Sequence, residues 1–128
     1  MDMQHLLIVA AGGALGSGLR HGVNVLAMRL GWINFPAATL AVNLVGCFAM
    51  GLFVELLARR LGASPELRLF VATGVLGGFT TFSAFSLDAA TLWERGAGAM
   101  AAAYVLVSVV GAIAALFAGL WLARWLAG

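Results

Sequence analysis

Apolar residues run almost without interruption through four stretches, 5–27, 35–58, 66–93 and 98–122. Each is longer than the roughly 20 residues a helix needs to cross the hydrocarbon core of a bilayer. The pattern therefore predicts four transmembrane helices in one membrane-embedded domain covering residues 1–128. The punctuation agrees: 29–34 reads as a short loop, and Pro36 suits the first turn of the next helix. A charged, Gly- and Pro-containing link covers 59–65, and Glu94, Arg95 and Gly96 make a tight third connection. Such short links leave no room for a soluble domain, so function must lie within the bundle.

The third stretch is the one whose pattern is broken. Residues 77–86 read GGFTTFSAFS, adjacent glycines and hydroxyl side chains where an uninterrupted helix in lipid would hold aliphatic residues. Unpaired backbone at that depth is tolerated only where it is buried in protein or lines a polar cavity. A break in the third helix is therefore expected, with a site for an ion or small polar solute beside it. Thr80, Thr81 and Ser83 are interleaved with Phe79, Phe82 and Phe85. Such rings are commonly core or lipid-facing, but their positive edges also suit an anion path.

Other intramembrane polar residues carry two readings each. Arg20 lies roughly ten residues, about 15 Å of helix, from the end of its segment, with Asn24 one turn further on. It either snorkels to the interface or stands as a cation at the mouth of an anion path. Thr39, Asn43 and Gly46 share a helix face, and the Asn43 amide either bonds a neighbouring helix or donates to an anion. Tyr104 and Ser108 repeat the i, i+4 pattern, bonding within the bundle or facing a solute. Asp88 is expected at a mouth or with a partner, because a bare carboxylate repels an anion. Small residues at helical spacing (Gly12 with Gly16, Gly18 with Gly22, Gly111 with Ala115 and Gly119) let helices approach closely. Four short helices enclose little volume, so a polar site is easier to build between subunits and a homo-oligomer is expected.

Composition fixes the environment. Of 128 residues 63% are hydrophobic and 9% charged, and the mean hydropathy is +1.06, which marks an integral membrane protein in contact with lipid. Seven scattered arginines form no basic patch, so the net charge of +2 does not suggest nucleic acid. Cys47 cannot form an internal disulfide and reads as a small packing residue. The first segment lacks a positive start and holds Arg20, which favours a retained helix over a cleaved signal. Arg59, Arg60, Arg68 and Arg124 fall on the side of the termini and Arg29 and Arg95 on the other, a small excess that favours cytoplasmic termini and leaves insertion in both orientations open. His5 and His21 lie in one segment with no nucleophile–base set, which argues against an enzyme. A proton-coupled exporter of cations would need a carboxylate deep in a helix, whereas the first segment offers only Arg20. A non-transporting scaffold subunit is the remaining class.

Four motifs in order carry a resemblance: GGALGSGLRH (12–21), TLAVNLVGCFAMG (39–51), GVLGGFTTFSAFSLD (74–88), and Tyr104 with Ser108. Together they resemble the fluoride channels of the Fluc (CrcB) family. That resemblance implies an antiparallel, dual-topology homodimer in the bacterial inner membrane that lets fluoride leave the cell passively through two pores. It implies that Phe82 and Phe85 are the rings lining each pore, beside Thr81 and Ser83. Asn43 matches the pore asparagine, Tyr104 and Ser108 the hydroxyl track, and Arg20 the arginine near a vestibule. It also implies a structural sodium ion at the dimer centre, held by the backbone carbonyls of Gly77 and Thr80. The sequence departs from the family pattern at Ala84, where Thr is common, at His21, which replaces an aromatic residue, and at Asp88, where Glu is frequent.

Overall fold

Long apolar runs without internal proline fold here as helices, and the helices are joined by links only a few residues long. The computed structural model describes residues 2–32, 34–61 and 64–128. Positions 33, 62 and 63 of the two predicted loops, and the side chains of Arg60 and Leu61, lie outside the described residues.

Helix α1 covers Met3–Arg29 and is capped by the Asp2 carboxylate, which accepts from the Gln4 amide at 3.0 Å. Helix α2 covers Ala37–Leu56 and continues as a wider π-helical turn, Leu57–Leu61. The third span, Pro65–Glu94, is composite. It begins with α3 (Pro65–Arg68), widens into a π-helical stretch (Leu69–Leu76), tightens to α4 (Gly77–Phe79) and resumes as α5 (Phe82–Glu94). Helix α6 covers Gly98–Ala127. All four spans are long and apolar enough to cross a membrane. The first and fourth run a turn or so beyond their predicted ends, because apolar and arginine side chains extend a helix into the interface.

Two of the links end in the same way. After α1 the chain turns at Gly31 (φ +81°) and after α5 at Gly96 (φ +80°). At each, amides beyond the helix reach back to carbonyls of its last turn: Trp32 to Ala27 at 2.9 Å, Ala97 to Leu92 at 3.0 Å. Only glycine adopts that left-handed conformation without strain.

Helix α2 packs chiefly on α6, and α1 on the π-helical stretch and α4. Both contacts depend on glycine. A Cβ at Gly16 would collide with the Val75 carbonyl and lie 2.8 Å from the Phe79 nitrogen. One at Gly119 would collide with the Phe48 carbonyl and lie 2.7 Å from the Leu52 nitrogen. Gly18 and Gly22 meet nothing within 4 Å among the described residues, so that predicted small-residue face is turned outward. At the end holding the termini, the Glu55 carboxylate accepts from Arg59 Nε at 2.8 Å and Arg124 Nε at 3.0 Å, tying α2 to α6. His5 stands 3.5 Å from Glu66, beside the start of the third span.

Candidate ion pathway at the centre of the third span

Between α4 and α5 two residues have extended backbone, Thr80 (φ −82°, ψ 157°) and Thr81 (φ −151°, ψ 117°). Such backbone must find its hydrogen bonds elsewhere, and the partners can be followed one by one. Leu76 O accepts from the Thr80 amide at 3.1 Å and from Thr80 Oγ1 at 3.0 Å, closing α4. The Thr81 amide, which in a continuous helix would donate to Gly77 O, donates to Asn43 Oδ1 at 2.7 Å. Asn43 Nδ2 in turn donates to Thr81 O at 3.1 Å. The side-chain amide of α2 thus pairs with both backbone groups of one residue. The Ala84 amide, whose helical acceptor would be Thr80 O, donates to Thr81 Oγ1 at 3.0 Å, capping α5. Gly78 O accepts from Arg20 Nε at 3.1 Å.

The outcome is selective. Leu76, Gly78 and Thr81 carbonyls have gained new donors, while those of Gly77 and Thr80 have lost the amides that would have satisfied them. Two main-chain oxygens released in this way are hard, neutral ligands that suit a bare alkali cation. Among the described residues no cluster of three or more His, Cys, Asp or Glu side chains is available for a metal ion.

On the other side of the extended pair lies an open cavity of about 310 Å³ lined by Asn43, Cys47, Thr80, Thr81, Phe82, Phe85 and Ser108, and bordered along α6 by Val109, Ala112 and Ile113. The two rings differ in exposure. Phe82 is 76% exposed and Phe85 only 8%, their centroids 5.4 Å apart and tilted by 53°. Phe85 packs on Tyr104 at 5.3 Å, and Tyr104 meets Phe35 edge to face at 5.5 Å. Tyr104 is fully buried and donates its hydroxyl to Asp88 Oδ2 at 3.2 Å. Ser83 shares a hydrogen bond with Thr81 Oγ1 at 3.2 Å. Ser108 is 6% exposed, and its Oγ has no partner among the described residues. A buried hydroxyl without a partner costs about 1–3 kcal/mol unless a solute or water meets it. Beyond Tyr104, a second, smaller cavity of about 160 Å³ opens at the loop end, lined by Trp32, Asn34, Phe35, Asp88, Thr91 and Arg95 among others.

Of the residues singled out from sequence, Asn43, Thr81, Phe82, Phe85 and Ser108 therefore meet around one cavity, with Thr80 at its edge. Tyr104 adjoins it through Phe85, and Ser83 through Thr81. Arg20 does not line it; its guanidinium lies against the Gly78 carbonyl. Gly77 is exposed. Two participants were not anticipated. Cys47 lines the cavity one turn after Asn43, a position the i+4 spacing from Asn43 would have flagged. Phe35 completes the ring stack on Tyr104, and nothing in its local sequence signals that.

Four membrane-length helices, the third irregular at its centre beside a cavity that a few polar groups enter, define a multi-pass membrane protein. The comparisons with known proteins make this specific. The sequence profile of the family described as CrcB-like protein, Camphor Resistance (CrcB), matches residues 7–120. The chain is 64% identical over 122 residues to the "Fluoride-specific ion channel FluC" of Mesorhizobium japonicum, covering 95% of this chain and 98% of that protein. Proteins of the same description from a Chelativorans species and from Agrobacterium fabrum are each 62% identical over the same shares. The chain belongs to the CrcB family.

Proposed function

We propose that the protein is a fluoride-selective ion channel that exports fluoride passively down its electrochemical gradient and so lowers fluoride in the cytoplasm. Membership of the family and the description of close relatives as fluoride-specific channels support this reading, which makes the chain a transport protein and not an enzyme. The observation in the chain itself that carries it is the buried Ser108 hydroxyl, without a partner among the described residues, beside a cavity that also receives the start of α5. A half-helix that begins inside the membrane presents free amides and the positive end of its dipole to an anion.

The path runs past Phe82 and Phe85, whose ring edges carry positive potential, with hydroxyls of Thr81, Ser83 and Ser108 as replacements for water, while Tyr104, its own hydroxyl donated to Asp88, backs Phe85. Asn43 holds Thr81 in place and keeps one amide hydrogen for the path. Few donors in a narrow passage favour fluoride over chloride, because the charge is the same and only the size and hydration differ. Arg20 stands on the vestibule side.

The functional unit in this reading is an antiparallel, dual-topology homodimer. The outward-facing Gly18–Gly22 surface and the largely exposed Phe82 are consistent with a second copy. At the dimer centre the released carbonyls of Gly77 and Thr80 would hold a sodium ion, which supplies fixed positive charge and a fastening between the copies. The donor chemistry fits, since these oxygens have lost their helical amides.

The test is fluoride-electrode recording of efflux from proteoliposomes, with chloride as the comparison. Fluoride efflux is expected without measurable chloride efflux, and Phe82→Ile or Asn43→Ala should abolish it or slow it at least ~100-fold. Equal fluoride and chloride fluxes would remove the selectivity, and undiminished flux in both variants would remove the path.

A further inference from the structure

Arg20 projects from the middle of α1, half-buried, while the neighbouring polar residues His21 and Asn24 are exposed. Its Nε donates to the Gly78 carbonyl at 3.1 Å. An arginine serving only to gather anions would direct its guanidinium to water, where salt screens it. This one spends a directional donor on a backbone oxygen of the third span.

Two features give that bond consequence. The first is the accounting of carbonyls where α4 ends. With Thr80 and Thr81 extended, no helical amide reaches Gly77, Gly78 or Thr80 oxygens in the usual way, and Gly78 alone of the three receives a side chain. The second is that α1 lies in direct backbone contact with this segment. A Cβ at Gly78 would stand 2.7 Å from Gly13 O, and one at Gly16 2.8 Å from the Phe79 nitrogen. Arg20 therefore acts from a helix packed backbone to backbone against α4. A permanently charged donor at the last carbonyls of a helix also meets the negative end of its dipole.

We propose that Arg20 is a positioning residue of the ion site. By occupying the Gly78 oxygen it leaves those of Gly77 and Thr80 as the pair open to a cation, and it fixes the extended residues against α1. This deepens the channel reading above and rests on its sodium site. Arg20 touches neither ion; it decides which backbone atoms do.

Three measurements decide it. In detergent, sodium should raise the Tm of the unmodified protein, and Arg20→Gln or Arg20→Met should shift the half-effect to sodium at least about tenfold higher, as expected for a lost charged hydrogen bond. Arg20→Lys, which can still donate to a carbonyl, should recover part of the shift. In liposomes, efflux through Arg20→Gln should stay low at saturating fluoride and at low ionic strength. Without any variant, the Arg20 Nε–H of protein labelled with ¹⁵N-arginine should exchange slowly with solvent. An unaltered sodium response in the variants, no sodium response in the unmodified protein, rapid exchange at Nε, or a flux deficit that disappears at high fluoride would each overturn the proposal. Should the unmodified protein pass no fluoride, the channel reading fails, while the sodium response and the exchange rate still decide the role of Arg20.

Discussion

Ser108 and Asn43 face the same cavity and ask for opposite treatments. The Ser108 hydroxyl is buried with no partner among the described residues, so it costs stability wherever no water or solute meets it. Ser108→Ala should leave the Tm unchanged or slightly higher while fluoride efflux falls about tenfold, the value of one hydrogen bond of ~1.4 kcal/mol to the passing ion. A parallel loss of Tm and flux would mean the hydroxyl holds the fold and not the solute. Asn43 spends both amide atoms on Thr81 at 2.7 and 3.1 Å. Asn43→Asp keeps the acceptor and loses the donor, so it should lower the Tm as well as the flux, checked by thermal unfolding in detergent. Sequence flagged both residues by type and depth, since a polar side chain in a span must meet something. It could not separate their duties, because the partner of each sits on another helix. The same holds for Arg20: the spacing along α1 says nothing about a carbonyl 58 residues away.

At the scale of elements, the four spans were legible because continuous apolar length is a strong signal, and the Gly31 and Gly96 turns because glycine and charge interrupt it. The π-helical windings at Leu57–Leu61 and Leu69–Leu76 were not. A wider turn is a rare local variation of the α-helix and has no residue signature of its own. Here the second winding lies against Gly12 and Gly16 of α1, whose missing side chains admit its carbonyls. Gly16→Val should therefore separate α1 from the third span, costing about 1–3 kcal/mol or preventing folding, whereas Gly18→Val meets open space within the chain and should leave the monomer fold intact. Thermal unfolding and size-exclusion profiles of the two variants make the comparison. If Gly18→Val instead loses the dimer while keeping the subunit folded, that face joins the two copies.

For the whole molecule, the charges at the two ends are few and close to balanced. The Glu55–Arg59–Arg124 cluster and the His5–Glu66 pair occupy one end, and Asp88 and Arg95 share the cavity at the other. So weak a bias permits insertion in either sense. Single cysteines placed at Arg29 or at Arg124 in a Cys47→Ser background should each label to about half completion with an impermeant reagent on sealed cells, the pattern of equal orientations. Complete labelling at one site and none at the other would mean a single orientation and no antiparallel pair. The two extended threonines at the middle of the third span carry a last consequence at this scale. Cutting a helix in the bilayer exposes a negative stub and a positive stub within a few ångströms of one another. In the proposed channel, one cut would therefore furnish adjacent seats of opposite polarity, each offsetting the field of the other's occupant. On that proposal, a residue change that mended the helix should erase both seats together, so that the sodium response and the fluoride flux are lost as one trait.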